Sequence, residues 1–413
     1  MGAGSDVGIE AINPYVGRFS LDVATLFNAR GLDRTRMQNL LMRRKSVNLP
    51  IEDAVTNAVN AAAPIVRAMT DEERETIELV IVGTESGIDF GKALSTYVLD
   101  YLNLSRRCRT FETKHACYGG TAALQMASGF IRSSSREVRA LVIAADAASV
   151  AARSTYWEPS QGAGAVAMLI GREGHILSLD HGANGYHSYE VSDTFRPRPD
   201  VEAGDSDLSL MSYMSCLEAS FAHYAEVVEN ADICDTFGGL VLHTPFAGMV
   251  KSAHRRLLRR VATMSLEEID GDFIRRVEPS IRFCQDVGNF YSAALYLAIC
   301  SYLTYATVVE PQRIGLFSYG SGCSSEFYSG VVTPESAAAV SALRIPEQIA
   351  DRHELEMDDY EIIADLALER MAGVENSEPD TRPYGHLLNS AIDGKSLLVL
   401  ESIKNYHRVY RWA

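Results

Sequence analysis

A CxxC pair, a histidine cluster, an excess of basic residues and a low-complexity linker are all missing from this chain of 413 residues. Its seven cysteines, at 108, 117, 216, 234, 284, 300 and 323, are odd in number and irregularly spaced. That argues against a disulfide framework and a zinc or other metal site, and suits a reducing cytoplasm. Lys and Arg number 38 against 54 Asp and Glu, a net charge of −16, so no nucleic-acid-binding face is expected. The opening residues, Met1-Gly2-Ala3-Gly4-Ser5-Asp6, lack the basic and apolar regions of a leader, and Asp6 stands where a myristoylation signal wants Ser or Thr. No targeting is expected. One run, residues 290–309, carries no charge and is long enough to cross a bilayer. It contains Ser292, Ser301, Thr304, Thr307 and four tyrosines, with no basic flank, and reads better as a helix buried all round in a large core.

What the chain does have is enough apolar material, 47% of its residues, for one large core or two fused ones. Residues 7–13 alternate like a strand and residues 53–69 read as an alanine-rich helix. Leu79-Val80-Ile81-Val82, inside the strand 78–83, is apolar without alternation, as a strand covered on both faces requires. A helix over about 91–102, a helix ending at Ile131, and strands at 140–145 and 162–170 follow. A long helix over about 209–230 leads to the strand 239–242, then to a helix with Lys251, Arg255, Arg256, Arg259 and Arg260. Residues 313–319 form a strand that 326–332 can join as a hairpin, 334–371 reads as helical and acidic, and 396–400 as a last strand. Strands alternating with helices imply an α/β layer structure with a largely parallel, buried sheet.

Three groups fall at the ends of buried strands, where open α/β sheets place their sites. Cys117, in Lys114-His115-Ala116-Cys117-Tyr118-Gly119-Gly120-Thr121, sits at a strand-to-helix elbow. Unpaired N–H groups at a helix start favour an anion, so a thiol there ionises more easily than a free one, although a buried inert cysteine has the same local signature. Gly119 and Gly120 leave room for a substrate or a second backbone near the sulfur. Glu85, in Gly83-Thr84-Glu85-Ser86, is either a loop cap or an acid with a chemical task. His243, in Leu242-His243-Thr244-Pro245-Phe246, is either structural or catalytic. Asn289, in Gly288-Asn289-Phe290-Tyr291-Ser292, places an amide before the uncharged helix, where asparagine is also an ordinary N-cap.

Taken in order, the Ala-Cys-Tyr elbow at 116–118, Gly-Thr-Glu-Ser at 83–86, His-x-Pro-Phe at 243–246, Gly-Asn-x-Tyr-Ser at 288–292 and Phe-Ser-Tyr-Gly-Ser-Gly at 317–322 resemble 3-hydroxy-3-methylglutaryl-CoA synthase. The resemblance runs from about Val7 to the C-terminus. It implies a thiolase-type α/β fold, with pseudo-equivalent βαβαβ halves (1–172 carrying Glu85 and Cys117; 173–413 carrying His243, Asn289 and Ser321) in α-β-α-β-α layers, usually a homodimer. It implies that Cys117 carries an acetyl group, that Glu85 removes a methyl proton, and that His243 and Asn289 bind the acceptor ketone oxygen. Backbone N–H groups of Cys117 and Ser321 would form the thioester oxyanion hole. Asp146, Asp193 and Tyr156 are assigned by the same resemblance to the substrate site. No cofactor is implied beyond the CoA or phosphopantetheine arm of an acyl thioester.

Two features lean toward the branch that works in polyketide assembly lines, where acyl carrier proteins bring both the acetyl donor and the β-keto acceptor. Only Lys251 remains of the lysine-rich pattern that receives CoA phosphates, and the chain is compact. An acidic carrier needs a basic patch on an acidic enzyme, for which Lys251, Arg255 and Arg259 are candidates; a merely solvated helix face has the same composition. The alternatives are a mevalonate-type enzyme using CoA thioesters, a ketoacyl synthase III-like enzyme, which needs no carboxylate such as Glu85, and a non-catalytic thiolase-fold scaffold.

Overall fold

In the computed structural model, which describes residues 7–392 and 394–413, the unbroken apolar runs become strands covered on both faces. The reading of residues 1–6 lies outside the described residues. The strands are β1 (Gly8–Tyr15), β2 (Ile77–Gly83), β3 (Arg109–Thr113), β4 (Arg139–Asp146), β5 (Gly164–Gly171), β6 (Leu177–Ser188), β7 (Gly239–Leu242), β8 (Gln312–Gly320) and β9 (Ser324–Val332). They are hydrogen-bonded in the order β7-β8-β9-β6-β1-β5-β4-β2-β3. Strands of residues 8–171 take one end and those of residues 177–332 the other. The two ends meet at a short β1–β6 junction, where Gly8 faces Ser178 and Ile9 faces Leu177.

Side-chain alternation turns this ladder into layers. In β2, Leu79 and Ile81 join a central core cluster, whereas Val80 and Val82 join an outer one. At the other end Val241, Ile314 and Leu316 face that same central cluster, and Leu240, Leu242 and Phe317 face a third. The outer face of the first end is covered by α1 (Ala54–Ala68) and that of the second by α3 (Ser206–Val227) and α4 (Ala247–Val261). Between the two lie α2 (Gly119–Ser133) and α5 (Ala294–Tyr305), giving the α-β-α-β-α stack of the thiolase fold. The uncharged run is thus a central helix. Each fully buried Leu or Ile on it contributes about 1.5–3 kcal/mol of transfer free energy. Among the described residues no helix is long and apolar enough to cross a membrane.

Several expectations are corrected. The sheet is mixed: β2 runs parallel to β3 and β4, and β7 parallel to β8, but the other neighbours are antiparallel. Full coverage on both faces removes alternation whichever way a strand runs, so unbroken apolar runs carry no directional signal. The tail read as one helical stretch is three helices, Pro334–Ser341, Ile345–Ala350 and α6 (Met357–Leu368). Arg344 at φ +54°, followed by Pro346, makes the first break. The last strand is a hairpin of Leu398–Lys404 with His407–Trp412, turned at Asn405 and Tyr406, both at positive φ. That turn lacks the glycine that would have announced it.

Candidate active site

Local sequence places Cys117 on a strained corner. Chain leaving β3 turns at Ala116, whose φ of +43° is unusual for a residue with a side chain, and α2 begins at Gly119. Gly120 carries the close approach expected of it: a Cβ there would lie 2.6 Å from the Ser292 carbonyl oxygen. Gly320 does the same on the other side, since a Cβ would lie 2.5 Å from the His115 carbonyl. The chain segment with Ser321 therefore rests against the elbow from the opposite half of the fold.

A cavity of about 390 Å³ opens over this corner. Glu85, Cys117, His243, Asn289 and Ser321 all line it. The Cys117 thiol donates to Glu85 Oε1 at 3.4 Å. Glu85 Oε2 is 3.3 Å from the Arg196 guanidinium, which also donates to the Glu85 carbonyl at 3.0 Å and to Glu202 Oε2 at 3.0 Å. Arg196 is shared between two acids, so burial dominates at Glu85 and lifts its pKa to about 7, with Asp146 and Glu202 adding to the rise. A carboxylate so tuned can hold and release a proton near neutral pH.

The thiol departs from the sequence expectation of easy ionisation. Burial pushes Cys117 well above the ordinary thiol range, and the charges of Glu85 and Asp146 push the same way. A nucleophilic role would require its proton to leave, and Glu85 Oε1 is the acceptor already in contact. His243, at the end of β7, is nearly fully buried, and burial lowers its pKa to about 3. Its imidazole is neutral at pH 7 and acts as a hydrogen-bond donor rather than as a cation. Tyr213 holds the backbone beneath it by donating to the His243 carbonyl at 2.7 Å. Asn289 Oδ1 accepts from Tyr291 N at 2.8 Å, and Nδ2 donates to Gln161 Oε1 at 3.0 Å. The amide is thereby oriented with one Nδ2 hydrogen left for a ligand.

Asp146 and Asp193 do not line the cavity. Asp146 is fully buried at the end of β4 and accepts from Thr84 Oγ1, Glu85 N, Ser86 Oγ, Ser292 N and Ser292 Oγ. Asp193, also fully buried, accepts from Tyr319 OH at 2.5 Å and Gly322 N at 2.9 Å. Asp146 is filled by five donors of the protein and Asp193 accepts two, and both tie together loops around the site. Tyr156 stands at the mouth, half exposed, with the Arg36 guanidinium 3.5 Å from its ring centroid. On α4, Arg255 is paired with Asp270 at 2.8 Å and Arg256 with Glu218 at 2.7 Å, whereas Arg259 is in no ion pair among the described residues. Met249 at the start of α4 lines the cavity, so the basic face leads away from the mouth.

Arg196, Glu202, Gln161 and Arg36 escaped the sequence reading. Glu202 pairs with Arg196, six positions away, but the other three work through partners distant in the chain, Gln161 and Asn289 being 128 positions apart.

Residues 3–175 match the model of the hydroxymethylglutaryl-coenzyme A synthase N terminal region, and residues 259–380 that of its C terminal region. The chain is 48% identical to the polyketide biosynthesis 3-hydroxy-3-methylglutaryl-ACP synthase PksG of Bacillus subtilis, over 98% of this chain and 99% of that protein. It is 36% identical to the hydroxymethylglutaryl-CoA synthase of Enterococcus faecalis, over 78% of this chain and 82% of that one. The crystal structure of the curacin biosynthetic pathway HMG synthase in complex with acetyl donor-ACP superposes with a TM-score of 0.96 at 48% identity, covering 98% of this chain and 100% of that one.

Proposed function

This chain belongs to the hydroxymethylglutaryl-coenzyme A synthase family, and from that premise we propose that it condenses an acetyl group held on Cys117 with the β-ketone of an acetoacetyl-type thioester. We propose further that both groups arrive on acyl carrier proteins, for β-branching of a polyketide. The single observation that carries the chemistry is the 3.4 Å contact between the Cys117 thiol and a carboxylate tuned to about pH 7. Carrier dependence is supported by the greater likeness to PksG and the curacin enzyme than to the CoA-dependent relative.

In this reading Cys117 Sγ attacks the donor thioester and its proton passes by way of Glu85 to the departing carrier thiol. Backbone N–H groups of Cys117 and Ser321 hold the oxyanion. Glu85, a carboxylate again, takes a proton from the acetyl methyl group, and the resulting carbanion adds to the acceptor ketone. Neutral His243 and Asn289 Nδ2 donate to the ketone oxygen as it becomes an alkoxide, a stabilisation that exists only as charge develops there. The proton that Glu85 took from the methyl group ends on the alkoxide oxygen, so the addition consumes no net proton and leaves Glu85 a carboxylate. Water then cleaves the Cys117 thioester. No cofactor other than the carrier's own arm takes part.

The two halves, 1–172 and 173–413, are read as pseudo-equivalent units sharing this one site. A homodimer is part of the proposal: β3 is an edge strand of the large sheet, and Phe90 nearby is 99% exposed. A reducing cytoplasm suits seven free thiols. Intact mass of the enzyme incubated side by side with acetyl-CoA and with an acetyl-carrier protein tests the reading. Acetylation at Cys117, faster from the carrier, is expected; no acetylation from either donor contradicts it.

A further inference from the structure

A second cavity, of about 90 Å³, adjoins the first on the far side of Glu85. Glu85 and Arg196 line both cavities, and their ion pair stands between them. The second is lined by the ionisable side chains of Lys45, Glu52, Asp53, Arg370 and Arg408 among apolar ones such as Pro50, Ile363 and Ala367. It reaches the surface at exposed Gly87 and half-buried Met371 and Ala372. Its volume holds several water molecules. A second observation points to the same ligand. Asn48 Oδ1, on its wall, and Arg196 Nε, in the partition, are buried and have no hydrogen-bond partner among the described residues. Buried polar atoms are otherwise paired, and a polar ligand in the cavity would lie beside these.

The chemistry supplies the need. After condensation the adduct is a thioester at both ends, to Cys117 at one and to the carrier arm at the other, so the arm fills the main mouth when water is required. We propose that the second cavity is the water inlet of the hydrolytic step, delivering water to the Glu85 carboxylate from the side opposite the carrier. Glu85 takes one proton from the water as its oxygen bonds to the thioester carbon; the C–S bond breaks, and the proton passes from Glu85 to the Cys117 sulfur 3.4 Å away. The acid formed ionises and leaves with the carrier. This inference rests on the function proposed above.

Two variants close the inlet without touching the reacting groups: Ala364→Leu, on the buried wall, and Ala372→Trp, at the rim, where room outside the core keeps the chain folded. Rapid-quench intact mass with acetyl-carrier and then acetoacetyl-carrier follows each step, because the condensed adduct is a covalent enzyme–carrier conjugate. Loading and condensation should stay within about twofold of wild type while breakdown of the conjugate slows by about fivefold or more, so that it accumulates. Breakdown at the wild-type rate in both folded variants, or loading and condensation slowed in step with breakdown, overturns the inlet. Wild-type enzyme that never becomes acetylated overturns the functional reading itself, an outcome visible before any variant is made.

Discussion

Ser292 donates both its backbone N–H and its hydroxyl to Asp146 Oδ2, at 3.0 and 2.5 Å. Through this one carboxylate the strand end beside Glu85 is joined to the segment that carries Asn289, and thus the base to the ketone-binding amide. Asp146 Oδ1 completes the join by accepting from Glu85 N at 2.9 Å.

Removing that carboxylate leaves several buried donors without an acceptor. Asp146→Ala should lower stability by about 3 kcal/mol or more in urea unfolding and reduce kcat, because the Glu85 loop loses its anchor. The KM for the acceptor should change little. A variant of unaltered stability with a raised KM would return Asp146 to the substrate-contacting role that the sequence resemblance gave it.

The pKa of Glu85, raised to about 7 by burial, fixes a pH dependence. The base is the carboxylate, so its active form is lost as pH falls through that value. Condensation by preloaded acetyl-enzyme should climb about tenfold per pH unit below 7 and level off above it. A single-turnover profile that stays flat from about pH 5.5 to 8 would remove Glu85 from the rate-determining proton transfer.

Donor preference is the place where the surface matters. Arg255 is neutralised by Asp270, so its charge is largely spent within the molecule, whereas exposed Arg259 is in no ion pair among the described residues. Arg259→Glu should slow loading from acetyl-carrier by more than Arg255→Glu does, and 0.5 M salt, with a screening length of about 4 Å, should erase the difference. Loading from acetyl-CoA should be nearly indifferent to both. Equal loading from the two donors would indicate a CoA-using enzyme, and a carrier preference unmoved by Arg259→Glu would put the docking face elsewhere.

Much of this was legible in the chain itself, and the exceptions share a cause. Cys117, Glu85, His243 and Asn289 announce themselves because each follows an apolar strand or precedes an apolar helix, and a polar group at such a boundary faces a site. The layered fold follows from runs such as Leu79-Val80-Ile81-Val82, whose residues divide between two cores. Strand direction leaves no trace in those runs. Nor does pairing at a distance: the hydrogen bonds that Asp193 accepts from Tyr319 and Gly322 cannot be read locally, and Arg196 looks like any loop arginine until Glu85 and Glu202 close on it. The ionisation of Cys117 was misjudged for the same reason. The helix start is visible locally, but the burial that chiefly opposes ionisation, and the carboxylates that add to it, come from elsewhere in the chain.

The central claim is that Cys117 carries the acetyl group and Glu85 makes it a carbon nucleophile. Glu85 relays the Cys117 proton during loading, but its charge is also one of the influences holding that proton in place, so its removal should slow loading without lowering the level finally reached. The direct test is rapid-quench intact mass on Glu85→Ala, with acetyl-carrier followed by acetoacetyl-carrier. The account predicts a single acetyl group on Cys117 at close to the wild-type level, and conjugate formation slower by about 10²-fold or more. Loss of loading with condensation normal per acetylated enzyme, or condensation within about tenfold of wild type, would contradict it.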